Sequence, residues 1–205
     1  MISAQGLSRA ELRRTLRTAR NNLSPVQQHQ AALRLTRLLS HDALFIRSRH
    51  IAFYQAADGE IDPKPLLEKA LKRGKKVYVP VLSKWPKARM AFQPINAKTR
   101  WRKNRYGINE PRAAYRLERK PWALSLIFLP LVGFDAHGGR IGMGKGFYDR
   151  TLSYLSRRRT WRRPTLIGLA HQCQQVDRLG LANWDIPLDG CASDERFYLT
   201  DQPLD

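Results

Sequence analysis

Gly138, Gly139, Gly142, Gly144 and Gly146 fall within nine residues, with Arg140 and Lys145 among them and Phe147-Tyr148-Asp149 directly after. Such a run is costly in backbone entropy, so a compact domain keeps it where the chain needs positive φ or where a ligand lies against the main chain. Uncovered N–H groups that open a helix attract anions, through their unpaired donors and the helix macrodipole together. Lys145 adds a mobile cation, and Asp149, a turn into the expected helix, is placed to hold a metal ion of the kind that phosphates bring with them. The stretch reads as a triphosphate cradle. A glycine-rich surface turn without a ligand is the plainer alternative, but such a turn needs neither the lysine nor the Tyr148-Asp149 pair.

Two familiar phosphate fingerprints do not fit. Gly139-x-x-x-x-Gly144-Lys145 has the Walker spacing, yet Gly146 stands where the magnesium-binding Ser or Thr belongs. No G-x-G-x-x-G can be laid on these residues, and the Arg-rich segment after Leu155 lacks the acidic residue that a dinucleotide site needs about 20 positions on.

The cradle needs elements around it. An apolar run over residues 124–134 suits a buried strand before the glycines, and residues 151–155 alternate as a helix would. At the amino end, Ser8-Arg9-Ala10-Glu11 has the form of a capping box, which predicts a helix from Arg9 with Leu12, Leu16, Ala19 and Leu23 on its buried side. Arg9, Arg13, Arg17 and Arg20 make a neighbouring stripe with no acidic partner on that face, an arrangement that favours an anionic ligand near one end. Ser24-Pro25-Val26-Gln27 repeats the start signal for a second helix to about Leu39. A strand is expected over 50–56, a turn over 58–62, a third helix from Asp62-Pro63 to Gly74, and strands over 75–81, 89–94, 165–171 and 194–199. Strands separated by helices argue for a three-layer α/β domain with a mainly parallel sheet and extra N-terminal helices. Ligands gather at the carboxyl ends of such strands, where Gln55, Glu60 and the glycine loop would meet. His171 has no triad partner nearby in sequence and reads as structural.

Composition sets outer limits. With 205 residues and 42% hydrophobic content, one single domain over 1–205 is expected, and no apolar run approaches a membrane span. The amino terminus shows no secretory pattern, and two cysteines, Cys173 and Cys191, are too few for a disulfide framework, so a cytoplasmic monomer is the expectation. The net charge of +20 is spread over residues 1–150, since 151–205 carries as many acidic as basic side chains. It favours anionic ligands and leaves nucleic-acid binding as an alternative, with Arg157-Arg158-Arg159-Thr160-Trp161-Arg162-Arg163 as its one compact cluster. No RRM, KH or zinc pattern supports that alternative.

Arg140-Ile141-Gly142-Met143-Gly144-Lys145-Gly146-Phe147-Tyr148-Asp149-Arg150 closely resembles the signature loop of the 5-formyltetrahydrofolate cyclo-ligase family. The resemblance extends along most of the chain. Arg9 and Arg13 are similar to nucleotide-contacting positions, Glu60-Ile61-Asp62 to the pterin-binding carboxylate and its context, Tyr106-Gly107-Ile108-Asn109-Glu110-Pro111 to W-G-I-x-E-P, and Trp184-Asp185-Ile186-Pro187-Leu188-Asp189 to W-D-x-P-x-D. It implies a Rossmann-like fold, ATP and Mg2+ as cofactors, and 5-formyltetrahydrofolate as substrate, with or without a polyglutamate tail. The nucleotide positions implied are Arg9, Arg13, Arg140, Ile141, Gly142, Met143, Gly144, Lys145, Gly146, Phe147 and Tyr148, with Lys145 and Arg140 as the catalytic cations on the phosphates. Gln55, Glu60, Met143, Gly144, Lys145, Gly146 and Phe147 are implied for substrate, and Asp149 and Asp189 for the metal. A different ATP-dependent kinase or ligase on the same scaffold is the third reading.

Overall fold

A computed structural model describes residues 2–82, 89–104, 107–112, 117–156, 163–180 and 185–200. Tyr106, Trp184 and the basic run from Arg157 to Arg162 lie outside these residues.

Both predicted capping boxes form. Ser8 and Glu11 cap α1 (Arg9–Asn21), and Ser24 and Gln27 cap α2 (Pro25–Ser40), whose Pro25 opens the first turn. A short α3 (Ala43–Arg47), capped by Asp42, follows without having been expected, because five residues carry too little periodicity to read. Next come β1 (His50–Ala52), α4 (Lys64–Lys72), β2 (Lys76–Leu82) and β3 (Met90–Ile95). β1 is shorter than the strand expected over 50–56: Phe53 keeps one bond to the carbonyl of Tyr78, at 2.9 Å, and the chain then leaves the sheet.

A small hairpin of β4 (Trp101–Lys103) and β5 (Asn109–Pro111) precedes β6 (Leu126–Pro130). The apolar run over 124–134 is not one strand. It breaks after β6 into β7 (Gly133–Phe134), which pairs antiparallel with β8 (Arg140–Ile141) before α5 (Phe147–Leu152) begins. The remaining strands are β9 (Thr165–Leu169), β10 (Gly190–Ala192) and β11 (Phe197–Leu199).

The main sheet has seven strands in the order β11-β10-β9-β6-β1-β2-β3. All neighbours from β10 to β2 are parallel, and the two outer strands are antiparallel. Alternation along the strands divides the core in two. Ile51, Val77, Leu126 and Phe128 pack with Leu35, Phe45 and Leu66 of the helices on one face. Ala52, Tyr78, Ile127 and Leu129 pack with Leu152 of α5 and with Ile186 and Leu188 on the other. Helices thus cover both faces of an α/β domain, as expected. A third, smaller cluster seats Leu12 and Leu16 of α1 on Val132, Ile141 and Val176. Among the described residues no helix is long and apolar enough to cross a membrane.

Candidate active-site cleft

From β1 the chain crosses to β2 on one side, whereas from β6 it crosses to β9 on the other, so the sheet order reverses between β1 and β6. Open α/β sheets take their ligands at such a switch point, beyond the carboxyl ends of the strands. The segment after β1 carries Gln55 and Glu60, and the segment after β6 carries the glycine loop. A cleft of about 1260 Å³ opens there, lined among others by Arg13, Gln55, Glu60, Gly144, Lys145 and Asp149. That volume exceeds the roughly 300–1,000 Å³ of a single small-molecule site.

The five glycines do two different jobs. Gly138 and Gly139 belong to the turn between β7 and β8, where Oδ1 of Asp135 accepts from the N–H of His137 and of Gly139, each at 2.8 Å. A Cβ on Gly139 would stand 2.4 Å from that carboxylate, so this glycine is required by packing. Gly142, Gly144 and Gly146 face the cleft. Gly144 and Gly146 hold φ of +84° and +61°, and Gly146 is the N-cap of α5. The helix that the loop opens is therefore reached through a hairpin, not directly from a core strand.

Around the loop, Lys145 and Met143 are exposed, Phe147 and Tyr148 half-buried. Arg150, which the sequence reading passed over, donates to the carbonyl of Lys145 and lies over the Phe147 ring at 5.4 Å. Arg140 is buried: its Nε donates to the carbonyl of Ile186 at 3.2 Å, and its Nη2 pairs with Oδ1 of Asp149. Asp149 also accepts from the N–H of Ile186, at 3.4 Å. Asp189 is tied to the sheet instead. Its Oδ1 takes Arg163 at 2.6 Å and its Oδ2 the N–H of Leu166 at 2.7 Å, and it does not line the cleft.

The arginine stripe of α1 proves to have acidic partners, supplied by other parts of the chain. Arg9 pairs with Asp185 at 2.9 Å and donates to the carbonyl of Gly180. Arg17 and Arg20 both reach Asp58. Arg20, read with the stripe as favouring an anionic ligand, is fully buried and has no access to one. Arg13 alone turns to the glycine loop, its Nε donating to the carbonyl of Gly142 at 2.8 Å.

On the opposite wall, Tyr54 donates to the carbonyl of Ile61 at 2.6 Å and Glu60 accepts from the N–H of Ala57 at 3.1 Å. Burial pushes the Glu60 carboxyl up to about 7, against the lowering effects of the Ala57 N–H and the Arg20 charge. Burial, followed by the nearby Glu60 charge, raises the Tyr148 hydroxyl well above its usual range. The exposed Lys145 and the main chain of Gly142, Gly144 and Gly146 thus face the half-buried Glu60 across one space. Asp58 was the residue missed. Asp58-Gly59 is a turn signal in the sequence, but nothing local reveals the arginines that hold it.

The model of the 5-formyltetrahydrofolate cyclo-ligase family matches residues 5–193. A 5-formyltetrahydrofolate cyclo-ligase of Haemophilus influenzae is 38% identical over 182 residues, 88% of this chain and 94% of the relative. One from Escherichia coli K12 is 34% identical, over 89% of this chain and 98% of its own. The solved structure of the 5,10-methenyltetrahydrofolate synthetase of Aquifex aeolicus superposes with a TM-score of 0.80 at 26% identity, covering 97% of this chain and 96% of that one. Match along nearly the whole length, in sequence and in fold, makes this chain a member of the 5-formyltetrahydrofolate cyclo-ligase family.

Proposed function

We propose that the chain closes 5-formyltetrahydrofolate to 5,10-methenyltetrahydrofolate, coupled to cleavage of ATP to ADP and phosphate, as a cytoplasmic monomer. The observation that carries this reading is one cleft, larger than a single ligand requires, with a glycine-rich loop and its exposed lysine on one wall and the half-buried Glu60 carboxylate on the other.

A formyl oxygen is a poor leaving group. Transfer of the terminal phosphoryl group to that oxygen activates the carbon; N10 then forms its bond to the carbon and loses its proton to solvent. The C–O bond breaks, and the oxygen departs with phosphate. This chemistry asks for positioning and charge neutralisation, not for a protein nucleophile. Lys145 and the amides of residues 142–146 hold the phosphates, and Arg13 fixes the loop that presents them. Arg140 acts through Asp149, with its Nη1 beside Gly142. Gln55 and Glu60 take the pterin, whose amino-pyrimidine edge offers two parallel donors to a carboxylate.

Magnesium, when bound with the nucleotide, supplies further charge neutralisation on the phosphates. The described residues hold no cluster of three His, Cys, Asp or Glu side chains, and magnesium asks for only one or two carboxylates beside phosphates and water. Asp149, in the cleft, fits that part; Asp189, with both oxygens engaged by the fold, does not.

Following the absorbance of the methenyl product with and without ATP tests the proposal. Product should form only with ATP. ATP cleavage without methenyl product would assign the site to a different kinase or ligase reaction.

A further inference from the structure

The turn that carries Glu60 lines the cleft with Ala57 and Asp58, and the side chains that hold it, Arg17, Arg20 and Asn21, do not line it. Ala57 and Glu60 close it, with the Glu60 N–H on the Ala57 carbonyl at 3.0 Å, and the two central residues, Asp58 and Gly59, both have positive φ, of 53° and 73°. This is the mirror-image turn that Asp-Gly favours. Gly59 lies against the end of α1 so closely that a Cβ would fall 2.0 Å from Oδ1 of Asn21. Asp58 is gripped from the same helix. Arg17 takes both its oxygens, at 2.9 and 3.0 Å, and Arg20 takes Oδ2 at 2.8 Å. Arg20, wholly buried, also donates to the carbonyl of Leu131 at 3.2 Å, just beyond the end of β6. His171, likewise buried, faces the main chain of Gly59.

We propose that Asp58 is a positioning residue, which, locked to Arg17 and Arg20, fixes Glu60 at a set distance from the glycine loop. One helix then indexes both walls of the cleft, since α1 grips the Glu60 turn through Arg17 and Arg20 and the glycine loop through Arg13. The proposal rests on Glu60 binding the pterin, as set out above. A bidentate arginine fixes direction as well as charge, which is what a turn of only four residues needs to hold one side chain in place.

Steady-state kinetics on the full chain test it, with the Michaelis constants for 5-formyltetrahydrofolate and ATP measured separately. Asp58→Asn keeps a residue that tolerates positive φ but removes the charge. It should raise KM for the folate about tenfold and leave KM for ATP within about twofold, a loss of binding with little change in kcat. Arg17→Ala, on a half-exposed side chain, should shift folate KM in the same direction by less, with an unchanged melting temperature. In a Glu60→Gln background, Asp58→Asn should add nothing further, because both changes act through one contact. Multiplying effects in the double variant, or a parallel rise of both KM values, would overturn the role of Asp58. An unchanged folate KM in Glu60→Gln alone would instead remove Glu60 from the pterin site, a distinct result that withdraws the proposal by taking away its target.

Discussion

Arg13 and Gly142 stand 129 positions apart in the chain and 2.8 Å apart in space, the guanidinium Nε donating to the glycine carbonyl. The first helix thereby fixes the carbonyl at the start of the cleft-facing glycine loop, and the Arg13 guanidinium also lies against Gly144, 3.7 Å from where its Cβ would be. Preorganisation of this kind lowers the ordering cost that binding would otherwise carry.

Arg13→Ala should therefore weaken ATP binding by about tenfold while shifting the melting temperature little, because the side chain is only half-buried. Arg13→Lys should not restore it, since an ammonium lacks the directed fork of a guanidinium. Calorimetric titration of each variant with nucleotide measures both.

Lys145→Ala should reduce kcat by about 10²-fold or more, the usual loss when one preorganised charge contact to a developing anion is removed. The side chain is exposed, so thermal unfolding should be unaffected. Full ATP-dependent turnover in this variant would take Lys145 out of the mechanism.

Glu60 predicts a pH signature. Its folded pKa of about 7 lies above the ordinary 4.5, so the folded state binds the extra proton between those values. Stability is then lost as pH rises from about 4.5 to about 7 and levels off above. Glu60→Gln should raise the melting temperature more at pH 8 than at pH 5. Folate affinity should grow through pH 7 in the parent and stay flat in the variant.

The two aspartates implied for the metal should separate cleanly. Asp149→Asn should raise the magnesium concentration needed for half-maximal activity. Asp189→Asn should leave that concentration unchanged but lower the melting temperature, by loosening Leu166 of β9 and the ion pair with Arg163. Magnesium titrations and thermal melts on the same preparations distinguish them.

Local signals were the legible ones. Ser8-Glu11 and Ser24-Gln27 each satisfy the first turn of a helix within four residues, so their outcome depends on nothing distant. The apolar run Val77-Tyr78-Val79 likewise marked a strand, which the structure shows to be covered on both faces. What the sequence concealed was set by contacts across long separations. Arg20 follows Leu12 and Leu16 onto the buried side of α1 only because Asp58, 38 positions away, neutralises it there. The run over 124–134 looked continuous, yet it bends after Pro130 so that Gly133 can pack 2.4 Å from Leu16 by its missing Cβ. Glu60 could be placed at a strand end, but its raised pKa depends on burial that only the assembled walls supply.

The first helix contributes no buried apolar side chain to the two large clusters that cement the sheet; its leucines belong to the small third one. It is fastened onto a sheet whose two large cores are closed without it. A chain shortened to begin near Leu23 should retain its sheet yet be inert, and a synthetic peptide of residues 1–22 added in trans should revive it.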